Sequence, residues 1–359
     1  MKQQFIGIQI LRFIAAMLVV VMHTSQAISI HITGRGAGQY WSLGSAGVDI
    51  FFVVSGFVMA MSVRTSPLNV QSRNTVAWIF MKRRLLRIVP LYWFYTLLKV
   101  ALILALPSLA TRSSVESAHL AASLFFIPAM SPWGLVEPTL PVGWTLNFEM
   151  LFYAVFALAI ALGVPRIKFC VLIFLLIFLG NRYFPSSVSM AFYAQTIVFE
   201  FILGICIAQS ISRLQPITPM AGGVIFVSGL VLMFGLNWSP LTDRLLMWGL
   251  GAALLVLSAV ALEPWTAKMP LTRPLAFLGG ASYSIYLLHT FMVPAGVMVM
   301  RLLGVQDPFF IVPLVCLAVI ASGCLSFVWL EEPMTAFFKN ILFRTPAIIP
   351  RPWKHKHEK

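Results

Sequence analysis

Long apolar segments constrain this chain more than any other feature of its sequence. Stretches of about 20 mostly apolar residues, enough to cross roughly 30 Å of hydrocarbon, recur from near the N-terminus to about position 330. Only 10% of the 359 residues are charged, whereas roughly a quarter are charged in soluble globular domains. The sequence therefore excludes a soluble domain and predicts an all-α, polytopic bundle of membrane helices.

The apolar pattern predicts about ten transmembrane helices within a single membrane domain over residues 1–335. A shorter apolar run, 118–130, is broken by prolines and a glycine and fits an interfacial or re-entrant helix. A basic cytoplasmic tail is expected over 336–359. The ten spans are expected at 6–28, 46–63, 88–106, 144–163, 167–181, 191–209, 219–236, 245–262, 281–303 and 308–330.

The distribution of basic residues predicts that both termini face the cytoplasm. Of the 25 Lys and Arg residues, eighteen would then lie in inner loops, five in outer loops, and Arg12 and Lys99 within spans. Basic residues accumulate on the cytoplasmic side of membrane proteins, so this asymmetry accounts for the net charge of +14. The charge therefore indicates topology in a lipid bilayer, and nucleic acid is not an expected partner.

Two ionisable side chains in the first span share one face of the helix. Arg12 and His23 are eleven residues apart, which places them about 20° from the same face and roughly 16 Å apart along the axis. An ionisable residue costs roughly 2.5–3.5 kcal/mol at the centre of a membrane helix, so it needs a partner, water or a function. A polar contact between helices is the structural alternative.

Two carboxylates are expected in the outer half of the membrane with His23. Asp49 lies at the outer end of the second span, at the expected depth of His23, where it could orient the imidazole. Glu149 lies about 8 Å below the outer end of the fourth span. The alternatives are a helix N-cap for Asp49 and an arginine pair for Glu149. Glu200, in the sixth span, has no obvious partner in the sequence.

Further candidate residues lie in a basic cluster before Pro90 and in the ninth span. Arg84 and Arg87 are three residues apart and face the same way, an arrangement that binds phosphate well. Topological anchoring explains Lys82 and Arg83 equally well. Tyr283, Tyr286 and His289 share one face of the ninth span, and Glu331 at the inner end of the tenth span needs a basic partner. The four cysteines lie in apolar segments without metal-ligand spacing, so no metal site is expected.

Six motifs follow one another along nearly the whole chain: Arg12-x10-His23, Gly47-Val48-Asp49-x5-Ser55-Gly56-Phe57, Arg84-x2-Arg87 with Pro90, Trp144-x4-Glu149-x2-Phe152-Tyr153, Tyr283-Ser284-x-Tyr286-x2-His289 and Glu331-x-Pro333. This ordered set resembles the acyltransferase-3 family of integral membrane enzymes. In length the chain is similar to the family's bacterial exopolysaccharide branch. One motif departs from the family pattern, because Thr145 and the single Glu149 stand where a serine and a further acid are frequent.

The resemblance implies transfer of an acyl group, acetyl above all, from cytoplasmic acyl-CoA to a sugar hydroxyl of an exported or surface polysaccharide, or of its lipid-linked repeat unit. It also implies a multi-pass protein of the bacterial inner membrane. Catalysis is assigned to His23, Arg12, Glu149 and Asp49. Donor binding is assigned to Arg83, Arg84, Arg87, Tyr286 and His289.

The chemistry of these residues leaves several choices open. Acyl transfer needs a base near the acceptor and stabilisation of the developing oxyanion. Histidine titrates near neutral pH, so His23 is the expected base, or it carries the acyl group covalently. Arg12 would bind the pantetheine arm of CoA or polarise the thioester carbonyl. The alternative functions are a secondary transporter or flippase of a glycan precursor, and a non-catalytic binding subunit.

Overall fold

The computed structural model describes residues 5–34, 41–64, 72–106, 114–184, 187–211, 217–236 and 243–343. These residues form helices and connecting turns, and their one β pairing is an isolated bridge between Met130 and Val136. The predicted all-α, polytopic membrane bundle is confirmed. Its α-helices within this part of the chain are α1 Ile6–His31, α2 Ala46–Arg64, α3 Arg73–Ala105, α4 Ser117–Leu124, α5 Trp144–Leu162, α6 Arg166–Tyr183, α7 Val188–Tyr193, α8 Val198–Ser210, α9 Pro219–Leu230, α10 Leu250–Ala261, α11 Glu263–Thr266, α12 Thr272–Gly280, α13 Ser282–Leu302, α14 Pro308–Ser326 and α15 Glu332–Leu342.

Six helices of the described chain are long and apolar enough to cross a membrane: α1, α2, α3, α5, α13, and α14 with its continuation to Leu342. Three shorter apolar helices accompany them: α8, α9 extended by a π-helical turn to Gly235, and α10 preceded by one from Leu245. The 18-residue α6 is a further apolar helix. The number of ten spans and their orientation stay predictions.

Several helix boundaries differ from those expected. The apolar segment 191–209 is divided between α7 and α8, with residues 194–197 outside both helices. The helix expected from residue 88 begins at Arg73, so the whole basic cluster is helical. The expected interfacial segment 118–130 contains α4. The expected boundary at residue 335 falls inside α15, and 344–359 of the expected tail lie outside the described residues.

Helix α2 occupies the centre of the bundle and packs closely on α8. Gly56 of α2 lies against the backbone of Phe201, and Gly204 of α8 lies against the backbone of Val53, so neither position has room for a Cβ atom. Small residues of this kind allow membrane helices to approach closely. The Phe201 ring stacks between Phe52 of α2 and Phe152 of α5, with ring centroids 4.6 and 4.3 Å apart. This stack fixes α2 and α5 relative to each other.

The N-terminus of α1 is held by a carboxylate from α11. The backbone N–H groups of Ile6 and Gly7 donate to the two oxygens of Glu263, at 2.7 and 2.9 Å. A carboxylate at this position satisfies backbone donors that have no partner within the helix and is favoured by the helix dipole. The contact anchors the end of α1 that precedes Arg12 by about two turns.

The predicted orientation is testable by cysteine labelling. In a variant whose four native cysteines are replaced by serine, Lys168→Cys at the start of α6 should react only with a membrane-permeant maleimide in intact cells. Gln306→Cys, on the opposite side between α13 and α14, should react with an impermeant maleimide. The opposite pattern would invert the depth assigned to every site residue.

Candidate active site

A cavity of about 120 Å³ lies between α1, α2, α3, α5 and α13. Its wall carries three arginines and one glutamate, which together have a formal net charge of +2. These charged residues are Arg12, Arg84, Arg87 and Glu149, and the polar residues beside them are Gln9, Ser55, Thr145, Tyr153, Ser282, Tyr283 and Tyr286. The structure therefore brings together five of the nine residues assigned to catalysis or donor binding, since Tyr286 belongs to that set.

Arg12 faces the cavity from α1 and is 8% exposed. Its Nη1 donates to Oε1 of Gln9, one turn earlier, at 2.8 Å. Among the described residues this is the one hydrogen bond of the Arg12 side chain. A guanidinium has five N–H donors. Most of these donors therefore remain available to a ligand in the cavity.

The basic cluster of α3 divides between the cavity and the outside of the bundle. Arg84 lies over the rings of Phe80 and Tyr153, 5.4 and 5.8 Å from their centroids, and Arg87 joins it in the cavity wall. Arg83 is exposed and does not line the cavity, although it was grouped with the other two as a donor-binding residue. The reason is helical geometry, because each residue turns the side chain by about 100°.

Glu149 is held by two hydroxyl groups. Its Oε1 accepts hydrogen bonds from Ser55 Oγ at 2.7 Å and from Tyr153 OH at 3.1 Å. No arginine in the described residues forms a direct ion pair with it. The three cavity arginines nevertheless surround the same small space as the carboxylate. Glu149 therefore orients two hydroxyls and offsets part of the positive charge of the cavity.

Asp49 contacts Arg244 and not His23, so the expected orientation of His23 by Asp49 is not observed. The Asp49 side chain is fully buried, and its two oxygens accept from Arg244 Nε at 2.9 Å and Nη2 at 2.7 Å. The Arg244 guanidinium also lies 4.9 Å from the centroid of the Trp248 ring. The carboxyl of Glu200, for which the sequence indicates no partner, is buried near Asp49, and its oxygens have no hydrogen-bond partner among the described residues. This group lies outside the cavity wall.

Removal of Arg244 should destabilise the protein. In Arg244→Ala, the buried Asp49 loses its ion-pair partner, and breaking a buried pair from one side costs roughly 3–5 kcal/mol. We expect the lower end of this range, because the Arg244 side chain is 30% exposed. Thermal unfolding in detergent measures the effect. The Asp49→Asn/Arg244→Ala double variant should recover part of the loss, and equal stability of single and double variants would contradict the pairing.

The two histidines lie together next to the cavity. The rings of His23 and His289 are 5.1 Å apart between centroids. His289 Nδ1 lies 2.5 Å from the carbonyl oxygen of Tyr286, which can only accept, so Nδ1 carries the proton and Nε2 has a free lone pair. His289 Nε2 is buried and has no hydrogen-bond partner among the described residues. His23 Nδ1 lies 3.2 Å from Gln26 Oε1.

Tyr286 separates the histidines from the cavity. Its ring lines the cavity and lies 5.7 Å from the His289 ring, whereas neither histidine is part of the cavity wall. The Tyr286 hydroxyl lies 3.1 Å from Thr145 Oγ1 and donates to the carbonyl oxygen of Val142 at 3.2 Å. The site thus has two parts, a positively charged cavity and a histidine pair behind Tyr286.

The sequence did not single out several of the side chains that shape the site. Ser55 and Tyr153 belong to the quoted motifs, but their hydrogen bonds to Glu149 were not foreseen. The spacing of four between Glu149 and Tyr153 was an available signal, since such residues are neighbours on a helix.

Glu331, for which the sequence predicts a basic partner, accepts a hydrogen bond from Ser284 at 2.7 Å instead. It forms no ion pair with a basic residue among those described.

Comparison with known proteins adds an independent finding. Residues 5–328 match the family model described as "Acyltransferase domain". The chain is 35% identical to the exopolysaccharide production protein ExoZ of Rhizobium meliloti (strain 1021) over 314 residues, which cover 83% of this chain and 91% of the relative. It is 31% identical to the acyltransferase MdmB of Streptomyces mycarofaciens over 157 residues, 41% and 37% of the two chains. No solved structure gives a match.

Proposed function

The chain belongs to the acyltransferase-3 family, and we propose that it moves a small acyl group, acetyl above all, from cytoplasmic acyl-CoA to a sugar hydroxyl of an exported or surface polysaccharide. Its membership makes it an enzyme that transfers acyl groups, and its apolar helices make it a multi-pass membrane protein. The bacterial inner membrane is the proposed location. The observation that carries the proposal is the positively charged cavity beside a histidine pair.

The size of the cavity supports a small acyl group. A cavity of about 150 Å³ in another protein accommodates benzene, and the cavity between Arg12 and Glu149 measures about 120 Å³. An acetyl group with its thioester has about this size, whereas the nucleotide of CoA is far larger. We therefore assign the acyl thioester to the cavity and the phosphates of CoA to its entrance, within reach of Arg84 and Arg87.

The positions of the charged groups support the following reaction. The sugar hydroxyl oxygen attacks the thioester carbonyl carbon, and the hydroxyl proton passes to the imidazole of His23. The carbonyl oxygen becomes an oxyanion, which the free N–H donors of Arg12 stabilise. Collapse of this intermediate forms the ester and breaks the C–S bond to release the CoA thiolate. The proton held on His23 then passes to the thiolate, so that CoA leaves as the thiol and the neutral imidazole is restored. In this proposal, Arg12 contacts the acyl donor, and His23 accepts the proton of the acceptor.

The nature of the acceptor is supported by the relative named for exopolysaccharide production, which shares 35% identity with this chain. A polysaccharide, or the lipid-linked repeat unit from which it is built, offers hydroxyl groups at the membrane surface. On the predicted orientation, His23 lies in the outer half of α1, the half nearer the side to which a glycan is exported.

Mass spectrometry of surface polysaccharide tests this function. Glycans from cells with the protein should carry an ester-linked acyl group, which adds about 42 Da if the group is acetyl. Glycans from cells that lack the protein should not carry this added mass. Restoring the parental chain should restore the mass, and restoring His23→Gln should not. Identical glycan masses with and without the protein would overturn the proposed acceptor.

Donor binding should depend on Arg87. A hydrogen bond to a charged group contributes roughly 1.5–3 kcal/mol, so Arg87→Ala should weaken acetyl-CoA binding by about tenfold to a hundredfold. Isothermal titration of the purified protein with acetyl-CoA measures this change. Arg83→Ala is the matched control, because Arg83 is exposed on the same helix and should retain parental affinity. If the parent and Arg87→Ala bound acetyl-CoA with equal affinity, topological anchoring would be the role of the basic cluster.

A further inference from the structure

A second pocket, of about 560 Å³, lies where α5 ends and α6 begins, and its wall includes the start of α3 and the end of α8. On the predicted orientation this end of the bundle faces the cytoplasm. Two arginines from distant parts of the chain, Arg73 and Arg166, share the pocket wall with Gln209. No aspartate or glutamate is among the pocket-lining residues, all of which the structure describes. The pocket wall therefore carries several hydrogen-bond donors and a net positive charge.

The position of Arg73 depends on a glycine at the end of α5. Gly163 has a φ of +71°, and a Cβ atom there would collide with the Arg73 guanidinium. Glycine permits this left-handed conformation and also allows the guanidinium to lie against the backbone. The exposed Arg73, in the first turn of α3, thus lies with its guanidinium against the backbone of Gly163 at the pocket.

Arg166 lies at the first position of α6, where a cation is unfavourably placed. The N-terminus of a helix carries partial positive charge and favours anions. The first turn of α6 nevertheless contains no acidic residue, and no side chain caps it. Within the described part of the chain, neither Arg166 nor Arg73 forms an ion pair. Two guanidiniums and the N–H groups of a helix start therefore converge without a counter-ion.

We propose that this pocket is a phosphate-binding site for the headgroup of an anionic phospholipid in the adjacent leaflet. Phosphate oxygens match the fork of a guanidinium and the backbone donors of a helix start. Basic pockets between membrane helices on the cytoplasmic side bind anionic headgroups in this way. The proposal does not depend on the acyl donor or the acceptor of the reaction.

The surroundings of the pocket favour a lipid over the phosphates of CoA. Helix α6 exposes a row of leucines, Leu172, Leu175, Leu176 and Leu179, so it lies at the lipid-facing edge of the bundle. The pocket at its start therefore adjoins the headgroup layer. On α3, Phe80 lies between Arg73 of the pocket and Arg84 of the cavity. Phe80 is buried against Phe156, with ring centroids 5.3 Å apart. This aromatic contact separates the pocket from the cavity that contains Arg12 and Glu149.

Topological anchoring is the competing explanation for the two arginines, and it makes a different prediction. An anchor requires only positive charge, so lysine replaces arginine without loss. Phosphate recognition by paired donors requires the planar guanidinium, so lysine does not replace it. The Arg73→Lys/Arg166→Lys double variant therefore retains charge and topology but removes the paired donors.

Native mass spectrometry of the purified full chain tests the site. The probes are dioleoyl phosphatidylglycerol, dioleoyl phosphatidylcholine and adenosine 3′,5′-bisphosphate. The parent should retain one phosphatidylglycerol in preference to phosphatidylcholine, and the double lysine variant should bind it about tenfold more weakly. Lys168→Gln, which removes a nearby exposed charge, should bind it as the parent does. Gln209→Leu is a second variant that should also weaken binding.

Three results would overturn the proposal. Parental lipid retention by both the double lysine variant and Gln209→Leu would leave anchoring as the role of the arginines. Equal retention of phosphatidylglycerol and phosphatidylcholine by the parent would exclude recognition of an anionic headgroup. Loss of adenosine 3′,5′-bisphosphate binding in the double variant, with lipid retention unchanged, would assign the pocket to a nucleotide.

Discussion

His23→Gln is expected to reduce acyl transfer by about 10²–10⁴-fold, the typical cost of losing a general base. Glutamine is similar in size to histidine and can still bond Gln26, which lies 3.2 Å from the His23 ring, but it cannot accept a proton from a sugar hydroxyl. Insertion and folding should therefore be retained. Acylated product at matched protein levels, with acetyl-CoA binding followed in parallel, measures the effect.

The matched control for this variant is His31→Gln, at the C-terminal end of the same helix. It should transfer acyl groups at the parental rate. Loss of transfer with intact donor binding would assign His23 to the acceptor step, in agreement with its position behind Tyr286 and outside the cavity wall. Transfer by His23→Gln at the parental rate would remove His23 from the mechanism and leave it a structural contact of His289.

Arg12→Gln is expected to lower turnover by about 10²–10³-fold, the typical cost of losing one oxyanion donor. The guanidinium of Arg12 faces the cavity with one hydrogen bond to a described residue, from Nη1 to Gln9. Its remaining donors are available to the thioester oxygen. Because these contacts strengthen as the oxyanion forms, turnover should fall much more than donor affinity.

Steady-state kinetics with acetyl-CoA as the varied substrate separates the two possible roles of Arg12. A fall in kcat with little change in the Kd for acetyl-CoA identifies a group that stabilises the oxyanion. A rise in Kd with unchanged kcat would identify a group that only binds the pantetheine arm. Arg301→Gln, at the exposed end of α13, is the control and should leave both quantities unchanged.

The residues that form the cavity were predictable where helical periodicity determines them. Arg84 and Arg87 face the same space because they are three residues apart on one helix. Arg12 and Glu149 stand out in the sequence because charged groups are costly within apolar spans. Their convergence in one cavity was implied only by the family resemblance, because helix packing brings residues 12 and 149 together.

Other features depend on contacts between distant parts of the chain, and the sequence could not predict them. Asp49 and Arg244 are 195 residues apart, and their pairing depends on the packing that brings the π-helical turn before α10 against the start of α2. Because its carboxylate pairs with Arg244, Asp49 does not make the expected contact with His23. The division of the sixth apolar segment into α7 and α8 also has no proline or glycine to signal it between residues 194 and 197.

The separation of the cavity from the histidine pair bears on the proposed transfer from a cytoplasmic donor to an exported acceptor. The cavity contains Arg12, and His23 lies eleven residues further along α1, roughly 16 Å by helical rise. Tyr286 stands between the cavity and the histidines, held by Thr145 and the Val142 carbonyl. On the proposed mechanism, the acyl carbonyl and the acceptor hydroxyl would meet beside Tyr286, which lines the cavity and contacts His289. We infer that the donor enters from the inner side and the acceptor from the outer side of this residue.

The most direct test uses purified protein in lipid vesicles with acetyl-CoA labelled in the acetyl group and surface polysaccharide as acceptor. We expect alkali-labile labelled ester on the polysaccharide together with an equal amount of free CoA. The His23→Gln protein should form at least about a hundredfold less of both products. If the parental protein formed no labelled ester under conditions in which it bound acetyl-CoA, or formed ester without releasing CoA, transfer from acyl-CoA to a sugar hydroxyl would be contradicted.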